Sequence, residues 1–274
     1  MDGKDFQTKK SLGQHFLTTN TVPTWLCDAG EVQEGDTVLE IGPGTGILTK
    51  ELLRRGATVI ALEADIRAIE VIQSVFEAEI ITKKLTILHC DVRDLVLSDI
   101  PQLCDHGFKV VANIPYYLSG LLFRSMLQST IQPALLVFLV QKEVAKRIAS
   151  EPKRGEKESL LSLGVKLYGI PTYVKTVSRG HFKPAPKVDS GIIKIEHINR
   201  DTFLHIEESF FFEILHLGFG QKRKQLLGNL SKNYPREALL SIFSTLHLSV
   251  SIRAEDVPVA NWGKLVKALK ECRI

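Results

Sequence analysis

The sequence has few cysteines and no long apolar run. None of its four cysteines belongs to a CxxC pair, so we expect reduced thiols, no metal and a reducing compartment. The longest strongly apolar run, residues 134–140, is far shorter than the roughly 20 residues that cross a bilayer. Lys4, Lys9 and Lys10 precede no apolar stretch, so we expect no secretory signal and a cytoplasmic protein without membrane contact.

The chain also has no strong excess of charge of either sign. Its formal net charge is only +4 over 274 residues, which permits an anionic partner without requiring one. We see no internal repeat, no low-complexity segment and no exposed heptad seam, and we therefore expect a monomer.

Short apolar runs alternate with amphipathic stretches between residues 37 and about 196. Strict alternation of strand and helix predicts an α/β fold, with a parallel Rossmann-like sheet covered by helices on both faces. Strands are predicted at 37–41, 58–62, 85–90, 108–112, 135–140, 170–177 and 191–195, and helices at 47–55, 66–79, 118–128 and 142–149.

The pattern changes after about residue 199, where only helical spacing remains. Helices are predicted at 203–217, 221–230, 235–243 and 262–272. We therefore expect a catalytic domain over residues 1–198 and a small all-helical domain over residues 199–274.

A glycine-rich loop follows the first predicted strand, with glycines at Gly42, Gly44 and Gly46. Glycines there permit a tight turn and let a ligand approach bare backbone beside a helix N-terminus. Any glycine-rich turn resembles this motif, so the loop alone is weak evidence. The spacing differs from the dinucleotide fingerprint, whose last glycine comes one residue later.

Glu63 and Asp91 each follow a predicted strand, and strand C-terminal ends line the ligand crevice of an open parallel sheet. Glu63 can accept both ribose hydroxyls of a nucleoside, and Asp91 can accept from an adenine amino group. Their alternatives are a solvated strand-end acid and a helix N-cap. With the glycine loop they favour S-adenosylmethionine as the cofactor over NAD.

The segment Asn113, Ile114, Pro115 and Tyr116 follows another predicted strand. The Asn113 amide oxygen and the Ile114 carbonyl can accept from the amino group of an adenine, and Pro115 biases Ile114 to an extended conformation. Tyr116 can stack on the base. This set suits methyl transfer to the exocyclic nitrogen by positioning, although a simple turn after a strand has the same composition.

The proline-rich segment 181–190 presents Phe182 between Lys183 and Lys187. We expect Phe182 to cover the other face of an adenine turned out of folded RNA, with both lysines on phosphates. The alternative is a core phenylalanine on a stiff hairpin.

Three adjacent cations, Lys222, Arg223 and Lys224, are predicted to open a helix and to contact RNA phosphates. A solubilising helix face is the alternative. Residues 200–274 carry eleven Lys or Arg against eight Asp or Glu, so this region is only weakly basic.

Together these motifs resemble the ribosomal RNA adenine N6-dimethyltransferase family. The resemblance implies that the partner is the small ribosomal subunit with its 16S rRNA, dimethylated at two adjacent adenosines near the 3′ end. It also implies roles in donor binding for His15, Leu17 and Asn113. The resemblance covers nearly the whole chain and runs through segments 9–17, 42–46, Glu63, Asp91, 113–117, 181–190 and 219–224.

Asn113 and Pro43 are typical of the housekeeping branch of that family, whereas the antibiotic-resistance branch, which acts on large-subunit rRNA, more often differs at both positions. An assembly checkpoint factor, whose binding outweighs its catalysis, stays open. A protein or small-molecule methyltransferase is a further alternative, and a nicotinamide dehydrogenase fits least because the glycine spacing is wrong.

Overall fold

The computed structural model describes residues 15–104, 107–151 and 155–272. The chain divides into two compact units. The first comprises the described residues up to Lys146 together with Ile170–Ile198, and the second comprises Arg147–Gly169 together with the described residues from Asn199 onward.

The first unit is built on nine strands, of which seven form one sheet and two form a small ribbon. Their bounds are β1 Phe16–Leu17, β2 Thr37–Ile41, β3 Thr58–Glu63, β4 Leu85–His89, β5 Lys109–Asn113, β6 Leu135–Gln141, β7 Ile170–Val177, β8 Phe182–Lys183 and β9 Ser190–Glu196. The ribbon pairs β1 with β8 in antiparallel fashion.

The main sheet has the strand order β4-β3-β2-β5-β6-β9-β7. Strands β2 to β6 pair in parallel, whereas β9 runs antiparallel to β6 and β7 antiparallel to β9. The strand order reverses between β2 and β5, which is the switch point where open α/β sheets bind ligands. The predicted α/β sheet is confirmed.

Eleven helices are described in the two units. Their bounds are α1 Thr21–Ala29, α2 Ile47–Arg54, α3 Ile66–Val75, α4 Glu77–Ile81, α5 Ser119–Leu127, α6 Lys142–Ile148, α7 Leu160–Lys166, α8 Glu208–Phe219, α9 Leu226–Leu230, α10 Arg236–Thr245 and α11 Val259–Glu271. The sequence did not predict α1 or α7, and it joined α3 to α4 across Phe76.

Parallel strands buried on both faces are apolar along their whole length, which is why the sequence located them well. Val110, Val111 and Ala112 of β5 have no exposed surface, and β6 is buried from Leu135 to Val140. This core fixes the carboxyl ends of β2, β3 and β5: the glycine-rich loop follows β2, and β3 and β5 end at Glu63 and Asn113.

Residues 147–169 belong to the second unit, not to the catalytic domain as the sequence suggested. Tyr168 is buried there against the Phe203 ring, with centroids 5.0 Å apart. The backbone N–H of Glu158 donates to the Glu255 carbonyl at 2.8 Å, and Lys166 pairs with the Glu158 carboxylate at 2.6 Å. These long-range contacts are invisible in the local sequence pattern.

The predicted helix at 221–230 is wrong in its first half, because α9 begins only at Leu226. The Asn229 side chain donates to the carbonyls of Gly218 at 2.6 Å and Gln221 at 3.2 Å. It thereby satisfies carbonyls at the end of α8, where the chain turns instead of continuing helically. The three cations at 222–224 lie exposed in this turn.

Candidate active site

A crevice of about 930 Å³, including its open mouth, lies in the first unit beyond the carboxyl ends of β2, β3, β4 and β5. Residues from all four strand ends border it, together with residues next to β1. Nine of the predicted site residues line it: His15, Gly42, Gly44, Glu63, Asp91, Asn113, Ile114, Pro115 and Tyr116.

The three glycines of the loop are required for different reasons. All three have positive φ, and a Cβ on Gly42 would meet nothing within 4 Å. A Cβ on Gly44 would lie 2.7 Å from the Phe16 ring, whereas one on Gly46 would lie 2.6 Å from the Phe76 ring. Gly42 and Gly44 border the crevice, whereas Gly46 leaves room for the ring of Phe76, the residue between α3 and α4.

Glu63 is held by the backbone around it. Its Oε2 accepts from the Gly44 N–H at 3.2 Å, and its Oε1 accepts from the N–H groups of Ala64 and Asp65 at 2.9 Å each. A carboxylate that is 7% exposed needs such donors, because an unpaired buried charge is costly. Glu63 thus joins the end of β3 to the glycine loop.

Glu40 lies in β2, directly before the loop, and is 1% exposed. The Thr49 hydroxyl donates to its Oε2 at 2.7 Å. Burial raises the pKa of Glu40 to about 8, which favours the protonated acid at neutral pH. Sequence reasoning assigned this residue no role, although an acid inside an otherwise apolar strand is itself a signal.

Asp91 caps a short 3₁₀ turn and is clasped by Arg93. Its Oδ1 accepts from the Arg93 backbone N–H and from Arg93 Nε at 2.9 Å each, and its Oδ2 accepts from Nη2 at 2.5 Å. The Arg93 guanidinium lowers the pKa of Asp91 to about 2. The N-cap interpretation of Asp91 is therefore correct, and the same carboxylate also borders the crevice. We call Glu63 and Asp91 the carboxylate side.

Asn113 and Tyr116 border the same crevice, and we call their part of it the amide side. The Asn113 Nδ2 group donates to the His15 carbonyl at 3.2 Å, so the amide oxygen remains as an acceptor. The Tyr116 hydroxyl lies 2.6 Å from Ser190 Oγ, and its ring stacks on His15 with centroids 5.8 Å apart. Burial raises the pKa of Tyr116, so the phenol stays neutral.

His15 is fixed by the loop that follows β8. Its Nδ1 donates to the Pro184 carbonyl at 2.7 Å, across 169 residues of sequence. The rest of the resembling segment, residues 9–14, lies outside the described residues.

The structure corrects the placement of Phe182 and Leu17. Phe182 is 4% exposed and Leu17 6% exposed, and both belong to the apolar core of the first unit. They face each other across the β1–β8 ribbon, and neither lines the crevice. His15 and Phe16 line the crevice, whereas Leu17, which lies opposite Phe182 in the ribbon, is buried in the core. The core alternative for Phe182 is the one that the structure shows.

The predicted RNA-contacting cations are all exposed. Lys183 and Lys187 lie in the first unit, and Lys222, Arg223 and Lys224 in the second. Eight further residues that line the crevice were not among the predicted site residues: Phe16, Ile41, Ala64, Cys90, Val92, Arg93, Tyr117 and Leu118. Only Arg93 had a local signal, because a cation two residues after an N-capping acid can reach back to it.

Among the described residues, no helix has the length and apolar character that a bilayer crossing requires. No group of three or more His, Cys, Asp or Glu side chains in this part of the chain is arranged to hold a metal ion.

Comparison with solved structures supports the architecture. The dimethyladenosine transferase of Plasmodium falciparum superposes with a TM-score of 0.77 at 26% identity, covering 94% of this chain and 98% of that one. The 23S rRNA methyltransferase ErmE superposes with a TM-score of 0.70 at 22% identity, covering 93% and 99% respectively, which shows the shared fold. The predicted Rossmann-like α/β fold is confirmed, and it is the fold of class I methyltransferases.

Sequence comparison identifies the family. A family model described as ribosomal RNA adenine dimethylase matches residues 5–271. The chain is 35% identical over 272 residues to ribosomal RNA small subunit methyltransferase A of Dehalococcoides mccartyi strain CBDB1, covering 97% of this chain and 89% of that protein. A Clostridium botulinum protein of the same name is 32% identical over 262 residues, covering 95% and 94%. The chain therefore belongs to the ribosomal RNA adenine dimethylase family, as its motifs indicated.

Proposed function

We propose that this protein is an S-adenosylmethionine-dependent rRNA adenine N6,N6-dimethyltransferase of the small ribosomal subunit. Its substrate is two adjacent adenosines near the 3′ end of 16S rRNA, and it acts in the cytoplasm as a monomer. One observation carries the proposal: the amide of Asn113 and the carboxylates of Glu63 and Asp91 border one crevice, although they lie far apart in the sequence.

The carboxylate side fits the methyl donor. Glu63 Oε2 has one protein donor and can accept a ribose hydroxyl, while Asp91 can accept from the adenine amino group. At Gly42 nothing lies within 4 Å of the Cβ position, which leaves the backbone of the loop open there for the methionine end. S-adenosylmethionine, when bound, supplies an activated methyl group on its sulfonium.

The amide side fits the acceptor nitrogen. Asn113 donates to the His15 carbonyl through its nitrogen, which directs its oxygen to receive an N–H of the target amine. Pro115 is extended, with φ −60° and ψ 130°, and Ile114 before it borders the crevice. Two acceptors hold the amine, and Tyr116 supports the base by stacking. The rate then comes mainly from positioning, without a strong general base.

The exposed cations provide the RNA contacts in this proposal. Lys183 and Lys187 meet phosphates near the target base, and the turn at 222–224 contacts rRNA from the second unit. Binding through several phosphates is strongly salt-dependent. The first unit is thus the catalytic domain, and the second docks the rRNA.

Labelled S-adenosylmethionine and undermethylated small subunits test the proposal. Nucleoside mass spectrometry should show dimethyladenosine at two adjacent positions with the wild-type protein and none with Asn113→Ala. Asn233→Ala, at an exposed asparagine of the second unit, is the matched control and should methylate normally. Methylation of large subunits instead, or equal activity of both variants, would contradict the proposal.

A further inference from the structure

Two neighbouring strands end in the same Asp-x-Arg arrangement. Asp65 and Arg67 follow β3, and Asp91 and Arg93 follow β4. In both, the aspartate accepts from the backbone N–H of the arginine, at 3.2 Å for Asp65 and 2.9 Å for Asp91. In both, Nε lies 2.9 Å from Oδ1 and Nη2 lies 2.5 Å from Oδ2. We call them the Asp65 clasp and the Asp91 clasp.

The two clasps differ in what they border. Asp91 and Arg93 line the crevice, whereas Asp65 and Arg67 are not among its lining residues. The Asp65 side chain is 3% exposed and the Asp91 side chain 30%. The hydrogen bonds between aspartate and arginine have the same pattern in both clasps, but only the Asp91 carboxylate is exposed to the crevice, where a ligand can reach it.

Arg93 limits how many hydrogen bonds Asp91 can accept from a ligand. A carboxylate offers about four acceptor positions, two on each oxygen. Arg93 fills two on Oδ1 and one on Oδ2. The position left on Oδ2 is suited to one N–H of an amine.

We propose that Arg93 is a positioning residue that fixes Asp91 to present one acceptor to the donor nucleoside, and thereby sets the preference for a 6-aminopurine over a 6-oxopurine. This inference rests on the proposed function, because it concerns the same donor site. A 6-oxopurine has a carbonyl where adenine has its amino group, so it places an acceptor against the carboxylate.

The chemistry of arginine suits this role better than that of lysine. The planar guanidinium holds both carboxylate oxygens at once and fixes their plane, whereas an ammonium acts as a point charge. Arg93 also holds the pKa of Asp91 well below neutrality. The carboxylate therefore stays ionised and carries no O–H that could donate to a 6-oxo group.

Equilibrium binding of two product analogues tests the inference without any turnover. The probes are S-adenosylhomocysteine and S-inosylhomocysteine, titrated by calorimetry into the full-length wild-type protein, Arg93→Gln, Arg93→Lys and Arg67→Gln. We expect the wild-type protein to prefer the adenine compound, and Arg93→Gln to reduce that ratio of dissociation constants roughly tenfold, the equivalent of one hydrogen bond. Arg93→Lys should lie between them.

Arg67→Gln is the matched control, because it opens a clasp of the same geometry that does not border the crevice. It should keep the wild-type ratio. Weaker binding of both compounds by the same factor in Arg93→Gln would show a merely structural role and overturn the inference, as would an unchanged ratio. If the wild-type protein binds neither compound, the assignment of the crevice as the donor site is wrong, and the proposed function fails with it. If the wild-type protein binds S-adenosylhomocysteine and methylates small subunits, but Arg93→Gln has the same ratio of dissociation constants as the wild type, the proposed function stands and only the inference about Arg93 fails.

Discussion

The carboxylate side and the amide side of the crevice differ in how many hydrogen bonds the protein makes to their polar side chains. Glu63 and Asp91 have carboxyl side chains, and the protein surrounds each with three of its own donors. Asn113 is neutral and has one described hydrogen bond through its side chain, to the His15 carbonyl. A charge taken from water needs several partners, whereas an amide needs only enough contact to fix its orientation.

This difference divides the roles of the two sides. Around the carboxylates the bonds build the site itself, because Glu63 ties β3 to the glycine loop. On the amide side, the hydrogen bond from Asn113 to the His15 carbonyl orients the amide oxygen of Asn113. Substitutions on the carboxylate side should therefore change stability and donor binding together, and substitution of Asn113 on the amide side should change mainly the rate.

The largest effect is expected for Asn113→Ala on the amide side. Removal of one preorganised hydrogen-bonding group typically costs 10²–10³ in kcat, and we expect a loss of about that size. The free energy of unfolding should change by less than about 1 kcal/mol. Single-turnover methylation measures the rate, and urea denaturation measures the free energy of unfolding. A large loss of stability beside the loss of rate would contradict the difference between the amide side and the carboxylate side.

Glu63→Ala should have the next largest effect and should act on both properties. It leaves the N–H groups of Gly44, Ala64 and Asp65 without their acceptor. The bonds from Gly44 and Asp65 are buried, whereas Ala64 is exposed. Each unpaired buried donor costs on the order of 1 kcal/mol, so we expect about 2 kcal/mol less stability and donor binding at least tenfold weaker. Equilibrium dialysis and denaturation test this, and donor binding at wild-type strength would refute it.

Glu40→Gln tests the buried acid beneath the carboxylate side through its pH dependence. The pKa of Glu40 is about 8 in the folded protein against 4.5 in the unfolded chain, so the folded state binds the extra proton between these values. Wild-type stability should therefore fall as pH rises through this window, by up to about 1.4 kcal/mol per pH unit.

The glutamine variant removes this proton linkage and keeps an acceptor for Thr49. From about pH 6 to about pH 7.5 its stability should gain about 2 kcal/mol relative to the wild type. Urea denaturation at both pH values measures the difference. Parallel stability curves would show that Glu40 is not protonated in the folded state.

The smallest effect is expected for Tyr116→Phe. It removes only the hydrogen bond to Ser190 and keeps the ring against His15. We expect a loss of about 1 kcal/mol of stability and at most about a tenfold loss of rate. Ser190→Ala is the matched partner variant, and the double variant should lose little more than either single one.

The local sequence was sufficient for the sheet and for most of the crevice. Strand β2 begins and ends where its apolar pattern predicted, because a strand buried on both faces has little freedom in composition. Strand β7 also has the predicted bounds, although it is a mostly exposed strand at the edge of the sheet. Since parallel strands end at one edge, the polar residues after them were expected together. Glu63, Asp91 and Asn113 do line one crevice.

Tertiary structure decided what the side chains at that crevice contact. His15 receives its partner from Pro184, 169 residues away, and Phe182 is buried by the ribbon that it forms with Leu17. Residues 147–169 join the helical unit. Periodicity records whether a position is buried, but not which distant segment buries it. The sequence therefore determined the family, the sheet and the residues of the crevice, and only the fold determined which of their hydrogen-bonding groups the protein itself already uses.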